Sequence, residues 1–145
     1  MSKRTSILKA LVAKFKIELD GIKYTSNIYN NAEPKLKFWD ECINFPAIYM
    51  SPGTEQREYL PGGFTWGYLG VSIKLYCKGE NSQDQLEQLL EDVENVIDNN
   101  RVLVYDTIKN YETTEILVAS ITTDEGLLAP YAVGEINLQV RYQLM

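Results

Sequence analysis

Apolar residues recur along this chain with two periods, and the switches between them divide it into elements. Between Thr5 and Leu19 the positions Leu8, Leu11, Val12, Phe15 and Leu19 fall three or four residues apart, the spacing of one helical face. Lys9, Lys14 and Lys16 take the other sides, and Asp20-Gly21 supplies a stop, since glycine tolerates the left-handed conformation after a last helical turn. Ile22, Tyr24, Ser26 and Ile28 then alternate with Lys23, Thr25, Asn27 and Tyr29, which predicts a strand running up to the breaker Asn30-Asn31-Ala32-Glu33-Pro34. Leu36 to Cys42 keeps neither period and reads as an irregular or short helical approach to a strand at Phe45 to Met50. Pro46, which has no N–H for a ladder, puts that strand at an edge or at its own start.

Thr54 to Gly67 reads as a loop rich in glycine and aromatic residues, around Tyr59-Leu60-Pro61-Gly62-Gly63-Phe64-Thr65-Trp66. Loops run over the surface and gain nothing from exposing rings, so Tyr59, Leu60, Phe64 and Trp66 are expected to be covered, either by the chain's own core or by a neighbouring subunit. Tyr68 to Cys77 is the clearest strand, with Val71, Ile73, Leu75 and Cys77 alternating against Ser72, Lys74 and Tyr76. After a turn, Ser82 with Gln85 three residues on forms a capping-box pattern that opens a second helix. Its stripe is Leu86, Leu89, Leu90, Val93, Val96 and Ile97, while Asp84, Glu87, Glu91, Asp92, Glu94 and Asp98 make the remaining faces acidic, without Lys or Arg. A short strand at Val102 to Val104 and two long ones, Thr113 to Thr123 and Tyr131 to Gln143, complete the chain. Asp124-Glu125-Gly126 turns between the long pair, and Gly134 interrupts the alternation of the last, which predicts a bulge there.

Two helices with separate apolar stripes need a sheet face to lie on, and strands joined by short turns favour antiparallel pairing. The expected fold is therefore α+β, a mainly antiparallel sheet with two helices packed on one face, in a single domain spanning residues 1–145. The sheet's other face is expected to present tyrosine and threonine to a partner. At 145 residues and 45% hydrophobic composition the chain can close one core, and its sixteen aromatic side chains are mostly tyrosine, which suits half-wet contacts.

The net charge of −6 is unevenly spread: residues 1–40 carry +4 and residues 41–145 carry −10. Lys9, Lys14 and Lys16 on the first helix and Glu87, Glu91 and Glu94 on the second are thus candidate charged patches between subunits, with plain solvation as the alternative. A pI near 4.7 disfavours sequence-specific nucleic-acid binding. The chain contains no histidine, which removes imidazole bases, Ser-His triads and His-ligated metals. Cys42 and Cys77 have no CxxC spacing and are expected to be reduced and buried. Asp40-Glu41 and Asp124-Glu125 are sequence neighbours, which on a strand point to opposite faces, and Gly62-Gly63 lacks the Lys-Ser/Thr of a phosphate loop. The expectation is a non-enzyme with no catalytic residue, metal or cofactor. Apolar runs fall short of the ~20 residues of a membrane span, and nothing marks a secretion signal, so no membrane partner is expected.

The succession Phe45-Pro46-Ala47-Ile48-Tyr49, Tyr59-Leu60-Pro61-Gly62-Gly63, the strand Tyr68 to Tyr76, a polar turn and the acidic helix Ser82 to Asp98 resembles the tail terminator proteins of long-tailed bacteriophages. The resemblance implies a structural virion protein that forms a ring, usually of six subunits, on the finished tail tube. Such a ring stops tube polymerisation and offers its opposite surface to the head connector. Its implied partners are further copies of itself, the tail tube protein and a head-completion or connector protein. Its implied place is the head-proximal end of the virion tail, after assembly in the host bacterial cytoplasm. Tyr59, Leu60, Phe64 and Trp66 are then the candidate tube or subunit interface. Two alternatives are another small head-tail connector or tail-tube subunit, and an unrelated small-ligand-binding α+β module.

Overall fold

A computed structural model describes residues 1–144. Helix α1 (Lys3–Glu18) is followed by β1 (Ala32–Glu33), a 3-10 turn at Trp39–Glu41, β2 (Ala47–Leu60), β3 (Phe64–Lys78), α2 (Ser82–Asp98), β4 (Val104–Asp106), β5 (Tyr111–Thr123) and β6 (Tyr131–Gln143). The six strands form one curled sheet in the order β1-β2-β3-β6-β5-β4. The sheet is mixed, which corrects the expectation of a mainly antiparallel one, although the fold remains α+β in broad terms and the long strands do pair antiparallel. Ala32 and Glu33 of β1 lie parallel to Ile48 and Tyr49 of β2. A parallel pair needs a crossover of about a dozen residues, and residues 34–46 supply it.

Both helices bury their stripes in one cluster with the inward residues of the sheet, among them Phe15 of α1, Leu89 and Val93 of α2, Ile73 and Leu75 of β3, and Ile136 and Leu138 of β6. Each such side chain contributes about 2 kcal/mol relative to exposure. Helix α1 packs against β1, β2 and β4, which stand at opposite ends of the strand order, so it bridges the opening that the curl leaves.

Four local expectations are corrected. Ile22 to Ile28 forms bends closed by a single bridge, Asp20 with Asn27, and Ile22 is 89% exposed. The Asp20 carboxylate accepts from the N–H groups of Ile22 and Lys23 at 2.9 and 3.0 Å, a local turn that outcompetes a ladder. At the start of α2, Asn81 is the cap residue without a side-chain cap bond, and Ser82 is buried in the first turn. The short strand expected at Val102 lies two residues later, at Val104–Asp106. Gly134 is no bulge, because both ladders run through it in register. It occupies an inward position, where a Cβ would stand 3.0 Å from Leu86 Cδ1, so the missing side chain makes room for α2. The irregularities sit instead in β5, between Thr113 and Glu115 and between Val118 and Ser120.

Candidate assembly surfaces at the two ends of the sheet

Thr54 to Gly67 is the outer part of a long β-hairpin, which corrects its reading as a loop. β2 and β3 stay paired from Ala47 opposite Tyr76 up to Leu60 opposite Phe64, with one register shift between Pro52 and Glu55. The turn is Pro61-Gly62-Gly63, with both glycines at positive φ (87° and 84°), a region that a side chain would strain. Partner strand β6 ends its pairing at Gln143, opposite Trp66, so the last residues of the hairpin extend past the sheet as an arm. Tyr59, Phe64 and Leu60 on this arm are 73%, 52% and 40% exposed. The chain's own core therefore does not cover them. Trp66 differs: it is half-buried on the face away from the helices, where the Arg141 guanidinium lies 4.5 Å over its ring and 5.5 Å from that of Tyr68.

The root of the arm is held by polar groups that sequence reasoning missed. The Glu55 side chain, 5% exposed, accepts a short hydrogen bond from the Tyr142 hydroxyl and pairs with Arg57 Nε at 3.0 Å. Burial, and then the bond to Glu55, push the Tyr142 hydroxyl pKa well above the usual phenol range. The Tyr142 ring lies over Gly67, where a Cβ would come within 2.8 Å of it. From the helix side, Arg4 Nη2 donates to the Gly53 carbonyl at 2.7 Å and Lys3 Nζ to the carbonyls of Gln143 and Leu144 at 3.2 Å each. Residues 55–60 read Glu-Gln-Arg-Glu-Tyr-Leu, polar at successive positions, so no local pattern in the sequence marks this group.

At the opposite end, residues 34–46 cross the face of the sheet away from the helices. Trp39, Cys42 and Phe45 pack there with Val133 over Ala47, Tyr49 and Tyr76, so this part of the expected tyrosine and threonine face is covered. The Tyr76 hydroxyl donates to the Lys37 carbonyl at 2.6 Å, and Trp39 and Phe45 meet the Tyr131 ring at centroid distances of 4.8 and 5.8 Å. The middle of this face is polar: Ser72 donates to Glu135 at 2.6 Å, Lys74 pairs with Glu135 at 3.0 Å, and Asn137 donates to Ser120 at 3.1 Å.

Two of the acidic residues of α2 have partners within the chain. Asp92 is buried, not exposed, and its carboxylate accepts from the Ser26 N–H at 2.9 Å and the Gln88 amide at 3.0 Å. Asp98 pairs with Arg101 at 3.3 Å. Glu87, Glu91 and Glu94, spaced four and three residues apart, remain as a stripe with no ion pair among the described residues; Lys9, Lys14 and Lys16 on α1 also have no ion pair among them, but Lys14 lies on a different side of the helix from Lys9 and Lys16. The acidic stripe borders a shallow groove of about 380 Å³, completed by Leu90 and by Ile121 of β5.

Cys42 and Cys77 are both free. Cys42 is only half-buried, whereas burial pushes the Cys77 thiol up to about 12, so Cys77 holds its proton at neutral pH. Among the described residues no group of three His, Cys, Asp or Glu side chains is placed to hold a metal, and no helix is long and apolar enough to cross a membrane.

A family profile described as Bacteriophage Tail Tube Terminator Protein matches residues 1–145. The tail tube terminator protein p142 of Escherichia phage T5 is 39% identical over 153 residues, covering 99% of this chain and 95% of that protein. A chain of the virion of a native gene transfer agent particle superposes with a TM-score of 0.63 over 99% of both chains at 9% identity, a likeness of fold alone.

Proposed function

This chain belongs to the bacteriophage tail tube terminator family and is a structural component of the virion tail; from that premise we propose that it forms a ring of six copies that caps the tail tube. All 145 residues act as one unit in this reading, which is mechanical and assigns no catalytic step. The ring stops tube polymerisation, sits at the head-proximal end of the tail, and offers its far surface to the head connector after assembly in the host cytoplasm.

The observation that carries the reading is the hairpin arm. Its tip residues Leu60 and Phe64 stand outside the core on a rigidly rooted ribbon. Apolar side chains fixed in place before contact bind with little ordering cost, and aromatic anchors of this kind dominate many interfaces. The tip is assigned to the tube, and the end braced by residues 34–46 to the head side.

The test is tube growth from purified tail tube protein, with tube length measured by electron microscopy. Added wild-type protein is expected to halt elongation, and a Leu60→Ala, Phe64→Ala double variant with an unchanged circular dichroism spectrum is expected to fail. Tubes that grow equally long with and without the wild-type protein would contradict the capping role.

A further inference from the structure

The two open edges of the sheet lie at opposite ends of the strand order, and they differ in a way that makes them complementary. On the β2 side, β1 covers only Ile48 and Tyr49, and no described strand pairs with the outer edge from Met50 to Leu60. Ile48 donates its N–H outward to the Asn31 carbonyl at 3.0 Å, so by the two-residue period Pro52 also faces outward, at a place where no N–H is available to continue the β1 pairing. On the β5 side, β4 pairs only with Tyr111 and Glu112, which leaves the outer edge of residues 115–123 without a described strand partner. Unpaired edges template the addition of another strand unless they are blunted or paired. Here the bulges at Pro52/Glu55 and in β5 break each edge into short straight runs, which denies a long flat template to an unrelated strand.

We propose that the arm of one copy, residues 55–60, pairs antiparallel with residues 115–123 of β5 in the next copy, with Arg57 directed at the acidic stripe Glu87, Glu91 and Glu94 of that copy's α2. The inference rests on the ring reading and specifies its subunit contact. β2 and β5 run in opposite directions, because β2, β3, β6 and β5 are successively antiparallel. Rotation about an axis along the strands therefore brings the two edges together antiparallel, and a head-to-tail contact of this kind closes into a ring. Strands in closed sheets tilt by about 35–45°. Across four strand spacings of about 4.8 Å that tilt staggers neighbouring copies by about 16 Å, or roughly five residues, which carries the arm from the level of Tyr111 onto the stretch 117–121.

The side chains match. Leu117 and Ile121 on β5 are 40% and 39% exposed, and Tyr59 on the arm, at 73%, lacks a covering core. Arg57 lies opposite Gly67 and Tyr59 opposite Thr65, so both point to the helix side, where the groove between Ile121 and the α2 carboxylates lies. Arg57 already neutralises Glu55, and its half-exposed guanidinium retains donors for a second carboxylate. The acidic stripe thus receives an arginine from the neighbour's arm and not the lysines of α1.

Light scattering and disulfide trapping test this together. Gln56→Cys is combined in turn with Leu117→Cys, Ala119→Cys and Ser120→Cys, with each single variant as control, because Gln56, Leu117 and Ser120 share the face away from the helices. Wild-type protein is expected near six times 16.6 kDa, and at least one pair is expected to give an oxidation-dependent ladder up to that size on a denaturing gel. Glu91→Arg with Glu94→Arg, which leaves the Glu55–Arg57 pair at the root of the arm intact, is expected to lose the ring, and a ring that persists overturns the Arg57 contact. A discrete ring in which none of the three pairs cross-links overturns the edge pairing and leaves the ring standing. A monomer at every salt and protein concentration overturns the ring reading and this inference with it.

Discussion

The hairpin arm and the crossover of residues 34–46 sit at opposite ends of one sheet, both are rich in aromatic residues, and they use them in opposite ways. The crossover lacks regular structure apart from one 3-10 turn, yet its Trp39 and Phe45 pack on Tyr131 and help bury Tyr49 and Tyr76. The arm is perfectly regular β-ribbon, yet Tyr59 and Phe64 touch no core and its rigidity comes from a few polar bonds at the root. Regular hydrogen bonding and burial are therefore separable. One end uses its aromatic residues to hold the monomer together, and the other leaves them exposed.

The comparison breaks most easily at the braced end. Trp39→Ala with Phe45→Ala removes the rings that cover the small cluster on the face away from the helices, and large-to-small changes at partly buried aromatic sites cost about 3 kcal/mol. Chemical denaturation is expected to show that loss, with tube capping by the surviving folded protein unchanged. An equal loss of capping would mean that the two ends are coupled.

At the root of the arm the expected effect is smaller and more local. Tyr142→Phe keeps the ring over Gly67 and deletes the donor to Glu55, leaving the buried carboxylate with Arg57 alone, at a cost of about 1.5 kcal/mol. Hydrogen exchange is expected to rise in the β2–β3 ladder beyond Pro52 and to stay unchanged in the half nearer Ala47. A uniform rise through the hairpin would show that the root bond stabilises the whole molecule and does not specifically hold the arm.

The contrast between the ends also explains which parts of the fold were legible in the sequence. The helices, β3 and β6 declare themselves because one face of each is buried, and burial imposes a period on the apolar residues. Gln56 to Phe64 are exposed on both faces, so this part of the segment Thr54 to Gly67 shows no such period and its glycines read as loop. Gly134 misled for the opposite reason: an inward position that must be empty for Leu86 looks like a break in the pattern. The extended reading of Ile22 to Ile28 failed because Asp20 and the distant Asp92 supply the backbone partners that a strand would have needed. Glu55, Arg57 and Tyr142 were illegible as a group, since a contact between residues 87 positions apart leaves no local signal. Tyr59 and Phe64, in contrast, could be picked out as rings in an unusual setting, with the apolar Leu60 between them, whatever the local backbone.

A pH measurement separates the polar face from both ends. Glu135 has its pKa lowered from 4.5 by the hydrogen bond from Ser72 and then by Lys74. A carboxylate with a depressed folded pKa adds stability that is fully present above its unfolded value and disappears as pH falls through the folded one. Glu135→Gln is therefore expected to cost about 1 kcal/mol at neutral pH, given a partly exposed pair, and the gap to wild type is expected to close as pH drops below 4.5. A gap that stays constant down to the acid transition would assign the loss to packing.

The smallest expected effect on stability belongs to the arm's tip, and its smallness is the point. Phe64 is 52% exposed, opposite Leu60 in the ladder, and its ring lies beside the Gly62 turn, where a Cβ would meet it at 3.5 Å. Substitutions at such surface positions stay within about 0.5 kcal/mol. Phe64→Ala is thus expected to leave the denaturation midpoint where it was while weakening tube capping, the reverse of the outcome for Trp39 and Phe45. If the unfolding free energy instead falls by more than about 1 kcal/mol, the ring supports the hairpin turn internally, and the aromatic side chains at the two ends serve the same purpose after all.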